Sequence, residues 1–499
     1  MVHGLHSRRI SRVRTVLAAA LAAVAAAACG GAGADRSEDG DAVGRAERSR
    51  EVAFEIVDEA DRIAAAERLW PGFDPTTTPV AIHAGERTLL FRHPSPPEGF
   101  EESDGHPGVR TYPGRHPAVV ANTTAEIGER IAATLLVDDP DRPVRTWAAV
   151  LLHELFHAYQ RERHPDWTAN PAALFTYPVD GAGPLTLRRL ETEALRRAAE
   201  AASAEDALCW AAAALELRDR RYAALPSEAV AYERGIERIE GLAYYIEYRA
   251  AGDVVPGTEA YAERAGPADG THDAGDEDAA VLPPEGFAPE AVRERGSRSG
   301  LAIALLLDRL SSDWRRRLEG EPESSLDGLL ADVMAERATA SGPACGFDAS
   351  ERERVRGDAE RAVAALLDRR AERLRAFDER DGWRIVVRAS EEPLMPRGFD
   401  PVNVEILDAE RVLHTRFLRL GNDAATIEVM GGTALTAAAG EHPLFDGVRS
   451  LLVTGLAAEP TVTRGDDGRT VVQAEGVEVS FGEGELLRDG RTVEVRLEP

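Results

Sequence analysis

His153, Glu154 and His157 stand in the order His-Glu-x-x-His within Leu151-Leu152-His153-Glu154-Leu155-Phe156-His157-Ala158-Tyr159-Gln160. On a helix, side chains four positions apart lie one above the other on the same face. Two neutral imidazoles at that spacing can grip one side of a Zn2+ ion. Glu154, beside the first of them, is placed to take a proton from a water that such an ion holds. The surroundings suit a buried helix. Val144, Trp147, Ala148, Leu151, Leu152, Leu155, Phe156 and Tyr159 recur at helical spacing. Asp141 and Pro143 read as its start and Pro165 as its stop.

Zinc in such a site needs a third protein ligand. The position ten after His153 is Arg163, with no glycine between, so the histidine-completed HExxHxxGxxH pattern is missing. A glutamate on a later helix is expected instead. Glu240 lies on a predicted helix over 233–249, four after Ile236 and three before Ala243, at the edge of its apolar face. Glu237 falls toward the polar side, and Gly241 would let this helix approach the motif helix closely. Glu191, four after Leu187 and also beside an apolar stripe, is the rival. Either glutamate could instead sit at a helix edge, paired with an arginine.

The stretches HELFHAYQ and EGLAYYIEY resemble the gluzincin zinc metallopeptidases, the clan of thermolysin and aminopeptidase N. The resemblance covers about residues 142–250. It implies that His153 and His157 are the histidine ligands, Glu240 the glutamate ligand and Glu154 the general base. It also implies Zn2+ as cofactor and a peptide or protein substrate, whose carbonyl is attacked by the activated water. The 82 residues between His157 and Glu240 exceed the spacing of those families, and a helical hairpin inserted at 185–225 would account for them. No GxMEN-like exopeptidase signature precedes the motif, which leans away from a typical aminopeptidase. Tyr244 and Tyr245 are candidates to donate to a developing oxyanion, although packing is the commoner role of such rings. Asn122 is a candidate contact to substrate backbone.

The remaining elements must position these residues. Val52 to Trp70 reads as an amphipathic helix. Pro79–His83 and Thr88–Arg92 read as a hairpin, 93–117 as loop, and Ile131–Val137 as a strand or short helix. A small sheet just before an HExxH helix is also the zincin arrangement, in which an edge strand pairs with extended peptide. His83, His93, His106 and His116, with no helical pairing, read as loop or surface histidines. Helical runs follow at 185–202, 204–225, 300–318, 326–337 and 350–377. From Trp383 short alternating runs take over, with a hairpin turn at Asp466-Asp467-Gly468. The expected fold class is α+β: a mostly helical, zincin-like core with a small N-terminal sheet, then an all-β C-terminal domain. The expected domains are a signal segment at 1–29, a flexible tether at 30–50, the metallopeptidase-like domain at 51–380 with a loose acidic loop at 251–298, and a β-sandwich or barrel at 383–499. Within that loop, Asp269–Asp278 lacks the ligand order of an EF-hand. His414 and His442 read as structural.

The N-terminus joins Arg8, Arg9, Arg12 and Arg14 to an apolar run from Val16 to Ala28, too short for a comfortable membrane span. It ends Ala26-Ala27-Ala28-Cys29-Gly30 and resembles a bacterial lipoprotein signal, with Ala26 where leucine is usual. That resemblance implies export and a membrane anchor on lipidated Cys29; a plain secretory signal is the alternative. Cys209 and Cys345 could then pair in an oxidising compartment or remain separate buried thiols. The net charge is −28 and lysine is absent, which argues against nucleic acid or an anionic membrane surface as an electrostatic partner. Two functions follow: an exported zinc metallopeptidase, or a noncatalytic surface lipoprotein whose degenerate HExxH helix is structural and whose β domain binds. An intact Glu154 favours the first.

Overall fold

A computed structural model describes residues 39–103, 105–252, 281–284, 286–321, 323–337, 345–466 and 468–498. The signal segment with Cys29 and the acidic run 269–278 lie outside the described residues. The fold is α+β. Residues 39–173 and 181–362 form one compact unit, and residues 174–180 with 363–498 form the other.

The first unit opens with α1 (Asp39–Ala66). Residues 39–50, expected as part of a flexible tether, are helical, and Ser49 is buried. Their packing is the reason: a Cβ on Gly85 would meet the Ala46 carbonyl at 2.8 Å, so the helix lies on the turn of the first hairpin. Arg48 adds an ion pair to Glu55 at 3.1 Å. That hairpin is β1 (Val80–Ala84) and β2 (Arg87–Phe91), closed through Gly85 at φ 62°. With β3 (Glu101–Glu102), β4 (Arg110–Pro113), β5 (Thr123–Ile127) and β6 (Arg130–Val137) it makes one sheet, ordered β3-β4-β2-β1-β6-β5. Only β1 and β6 run parallel. Alternation sorts the faces: Val80, Ile82 and Ala84 join the main helical core, while Ala81 joins Leu90, Phe100 and Val119 on the other side. The stretch 93–117, expected as loop, contributes β3 and β4. The side-chain oxygen of Asn122 accepts the Leu136 N–H at 2.9 Å, which ties it to β6.

The motif helix is α2 (Val144–Arg163), packed on α1, β6 and the edge strand β5. The helical hairpin α3 (Ala182–Glu200) and α4 (Ala204–Tyr222) follows. Then come α5 (Ser227–Ala251), α6 (Val292–Leu310), α7 (Trp314–Gly320) and α8 (Leu326–Arg337). The chain was expected to stay loose to residue 298, yet α6 starts at Val292 and Val281, Leu282 and Phe287 are buried ahead of it. Backbone contact explains the early start. A Cβ on Gly241 of α5 would sit 2.5 Å from the Gly300 Cα of α6, and one on Gly300 would sit 2.3 Å from the Glu237 carbonyl. Gly241 thus admits α6, not the motif helix as expected. Cys209 and Cys345 form a disulfide that closes 136 residues. The last helix, α9 (Ala349–Asp378), leads out of this unit.

The second unit is two facing sheets, named in chain order from β7 (Trp383–Arg388) to β19 (Thr492–Leu497). One is seven-stranded and the other six-stranded. Ile385, Val387, Leu451 and Val453 of the first interleave with Leu418, Leu420, Ile427 and Val479 of the second to form a single apolar layer, as a sandwich requires. His414 is buried in this unit near Thr436.

Two outcomes follow from this packing. Gly300→Ala should destabilise the protein by about 1–3 kcal/mol in urea unfolding, because the added methyl meets backbone. Gly183→Ala, facing open space in α3, should change stability by no more than about 1 kcal/mol. Burial pushes the His414 pKa down to about 3. The unfolded chain therefore binds a proton below about pH 6.5 that the folded chain refuses. Stability should fall by about 1.4 kcal/mol for each pH unit between 6.5 and 3 on this account. His414→Gln should flatten the measured slope by that amount.

Candidate metal centre

Three donors from two helices meet. The ligating atoms of His153 and His157 on α2 and of Glu240 on α5 all lie within 4.8 Å of one another. The two Nε2 atoms are 3.1 Å apart, and Glu240 Oε2 is 3.6 Å from His157 Nε2.

Each donor is held by a partner behind it. Gln160 donates its amide N–H to the Ile239 carbonyl at 3.0 Å, so its Oε1 faces His157 as an acceptor, 2.9 Å from Nδ1. His153 Nδ1 lies 2.9 Å from Glu247 Oε2. As neutral ligands both rings would carry their proton on Nδ1 and turn Nε2 to the same place. The Glu240 carboxylate divides its oxygens. Oε1 accepts from Arg293 Nη2 at 2.9 Å, and Oε2 turns to the histidines. Three converging lone pairs repel unless a cation sits between them, and two imidazole nitrogens with one carboxylate are the donor set zinc takes. The residues present therefore fit the ion.

Electrostatics agree with the geometry. Burial opposes charging His153, but Glu247, Glu154 and Glu240 outweigh it and push the pKa up to about 9. Glu240 is held far below the usual carboxylate range by His157, Arg293 and His153 despite burial. Glu154 is buried beside the cluster, and among the described residues no hydrogen bond occupies its carboxylate. Burial raises its pKa, against the pull of the two histidines.

The other candidates separate. The Tyr244 ring stands edge-on to His153, centroids 4.9 Å apart, whereas the Tyr245 hydroxyl donates to Asp308 at 2.7 Å and is engaged there. Glu191 is not in the cluster. It is fully buried between α3, α4 and α6, bonded to Arg218 and Arg221 at 2.8 Å each and to Arg295. Glu237, expected on the polar side of α5, is buried with Glu233 in the same network: Glu237 takes Arg218, Glu233 takes Arg221 and Arg295. His83, His93 and His116 are half-buried, and His106 lies exposed with its ring stacked on Phe54. Glu247, Gln160 and Arg293 had not been singled out from the sequence. The first two carried a signal: Glu247 is two turns beyond Glu240, and Gln160 is three residues beyond His157.

Compared with family models, curated proteins and solved structures, the chain gives no significant match.

Substitution should separate the two glutamates. Glu240→Ala should remove bound metal, read by elemental analysis of the folded protein. Glu191→Ala strands three arginines and should cost about 3–5 kcal/mol of stability in urea unfolding, while the folded fraction keeps its metal. Metal lost only from Glu191→Ala would reverse the assignment.

Proposed function

We propose that the chain is an exported zinc metallopeptidase of gluzincin type, with His153, His157 and Glu240 as ligands and Glu154 as general base. The observation that carries this reading is the convergence of two back-bonded imidazoles and one carboxylate beside a buried glutamate with no hydrogen-bond partner among the described residues. When bound, zinc supplies Lewis acidity: it lowers the pKa of a water and polarises a carbonyl.

The chain's own residues do the rest. Gln160 and Glu247 keep both rings in the tautomer that offers Nε2. Arg293 holds one oxygen of Glu240 and leaves the other for the ion. Glu154 accepts the proton of the attacking water. It would then deliver that proton to the leaving amine. The sheet also suits an extended peptide: β5 is an edge strand packed against the motif helix, with one side unpaired in the sheet.

Export and attachment through lipidated Cys29 belong to the same proposal. The disulfide between Cys209 and Cys345 supports an oxidising compartment, because such bonds do not persist in a reducing cytosol. No helix among the described residues is long and apolar enough to cross a membrane.

A fluorogenic peptide library, with zinc measured on the same sample, tests the reading. The wild-type protein should carry one zinc and cleave peptides. Glu154→Gln should keep the zinc and lose on the order of 10²–10⁴-fold in kcat. Folded protein that takes up no zinc after loading would instead favour the noncatalytic binding lipoprotein.

A further inference from the structure

Arginine is abundant in this protein and most of its buried arginines are paired. Arg218, Arg221 and Arg295 each pair with buried glutamates, and Arg293 pairs with Glu240. Arg298 is different. It lies on α6, half-buried, with its guanidinium carbon 5.9 Å from the centroid of the Tyr244 ring. Among the described residues no carboxylate stands within ion-pair distance of it. Tyr244 also approaches His153 edge-on, with centroids 4.9 Å apart. The Tyr244 ring therefore touches both His153 and a guanidinium that has no carboxylate partner among the described residues.

Two features hold Arg298 there. Gly296 and Gly300 bring the α6 backbone against α5, where a Cβ on Gly296 would meet Ile236 at 2.3 Å. Ser299 donates its hydroxyl to Glu237 Oε1 at 2.5 Å and locks the rotation of the helix between them. A cation–π contact with Tyr244 favours this position of the arginine, and no hydrogen bond from its guanidinium is made among the described residues. A fork of donors with no internal acceptor matches a carboxylate, which it binds with two parallel hydrogen bonds.

We propose that Arg298 is the specificity-determining residue of this site and that the preferred substrate is a peptide bearing a carboxylate within about three residues of the cleaved bond, at roughly 3.3 Å of extended chain per residue. The inference rests on the peptidase reading and deepens it. The carboxylate comes from the peptide's C-terminus or from an Asp or Glu side chain. Its recognition is a property of Arg298 in either case.

The test measures binding as well as cleavage, on the full zinc-loaded chain. The Glu154→Gln protein and the Glu154→Gln, Arg298→Gln protein are titrated with four short peptides by calorimetry. The peptides combine a free or amidated C-terminus with a Glu or Gln side chain at one position. Arg298 should confer a preference of roughly 10- to 100-fold for a carboxylate over its amide, the strength of a charge-assisted pair. The second protein should lose that preference while the neutral peptide binds both equally. The peptide pair that carries the preference identifies the source of the carboxylate. Indifference to the carboxylate in the first protein, or equal losses for charged and neutral peptides in the second, overturns the proposal. Carboxylate-selective binding with no cleavage by the wild-type chain overturns the peptidase reading alone. Absence of binding by every peptide overturns both.

Discussion

Six buried charges govern the geometry of the metal centre from a distance. Arg218 and Arg221 of α4 and Arg295 of α6 meet Glu191 of α3 and Glu233 and Glu237 of α5, every side chain almost fully buried. Burying such charges is costly, and removing any one partner leaves others uncompensated. The arrangement therefore allows one rotation of α5. Along that helix Glu233, Glu237, Glu240, Tyr244 and Glu247 recur at intervals of four, three, four and three. At about 100° per residue they fall within an arc of roughly 80°. The lower end of the stripe is held by arginines, and the upper end carries the metal donor, the tyrosine and the carboxylate behind His153. A turn of α5 that released Glu237 from Arg218 would swing Glu240 away from His157.

The glycine contact sets the other coordinate. Gly241 and Gly300 hold α5 and α6 at backbone distance, which fixes how far apart the two helices stand. Ion network and glycine contact together leave α5 no freedom to rotate or withdraw. A metal site benefits from this, since donors pre-set by packing lose little when the ion arrives. Arg293 and Arg298, both on α6, inherit the same placement.

Legibility in the sequence followed the range of the interactions. The pair His153 and His157 is a one-turn relation on a helix with apolar flanks, so it was readable directly. Glu240 was readable from its apolar surroundings, and the structure brings it to the histidines. Glu191 had much the same local signature, but its partners sit 27, 30 and 104 residues away. Nothing in the periodicity around Glu191 distinguishes a carboxylate facing a metal from one facing buried arginines. The misreading of Glu237 as a solvent-side residue has the same cause, for a charge on a helix is normally outside. The starts of α1 and α6 were misplaced because polar stretches there are held by tertiary contact: Ala46 against Gly85, and Gly296 and Gly300 against α5. In the sandwich, runs rich in β-branched residues such as Val477–Phe481 were visible, while Met395–Phe399, with Pro396 and Gly398, and Ala434–Ala438, made of small residues, lacked that signal.

Charge balance argues for the kind of ion the centre would hold. Glu154, Glu240 and Glu247 bring three carboxylates to it, and Arg293 bonds to one of them. Arg142 also acts electrostatically on Glu247, and with both imidazoles neutral the buried cluster still carries more carboxylates than cations. That excess is what drives the His153 pKa up to about 9. A cation between the three donors would relieve it and would satisfy all three donor atoms at once. An ion held by these donors would have to displace the proton from His153. The Arg298 guanidinium lies over Tyr244, and no carboxylate among the described residues pairs with it.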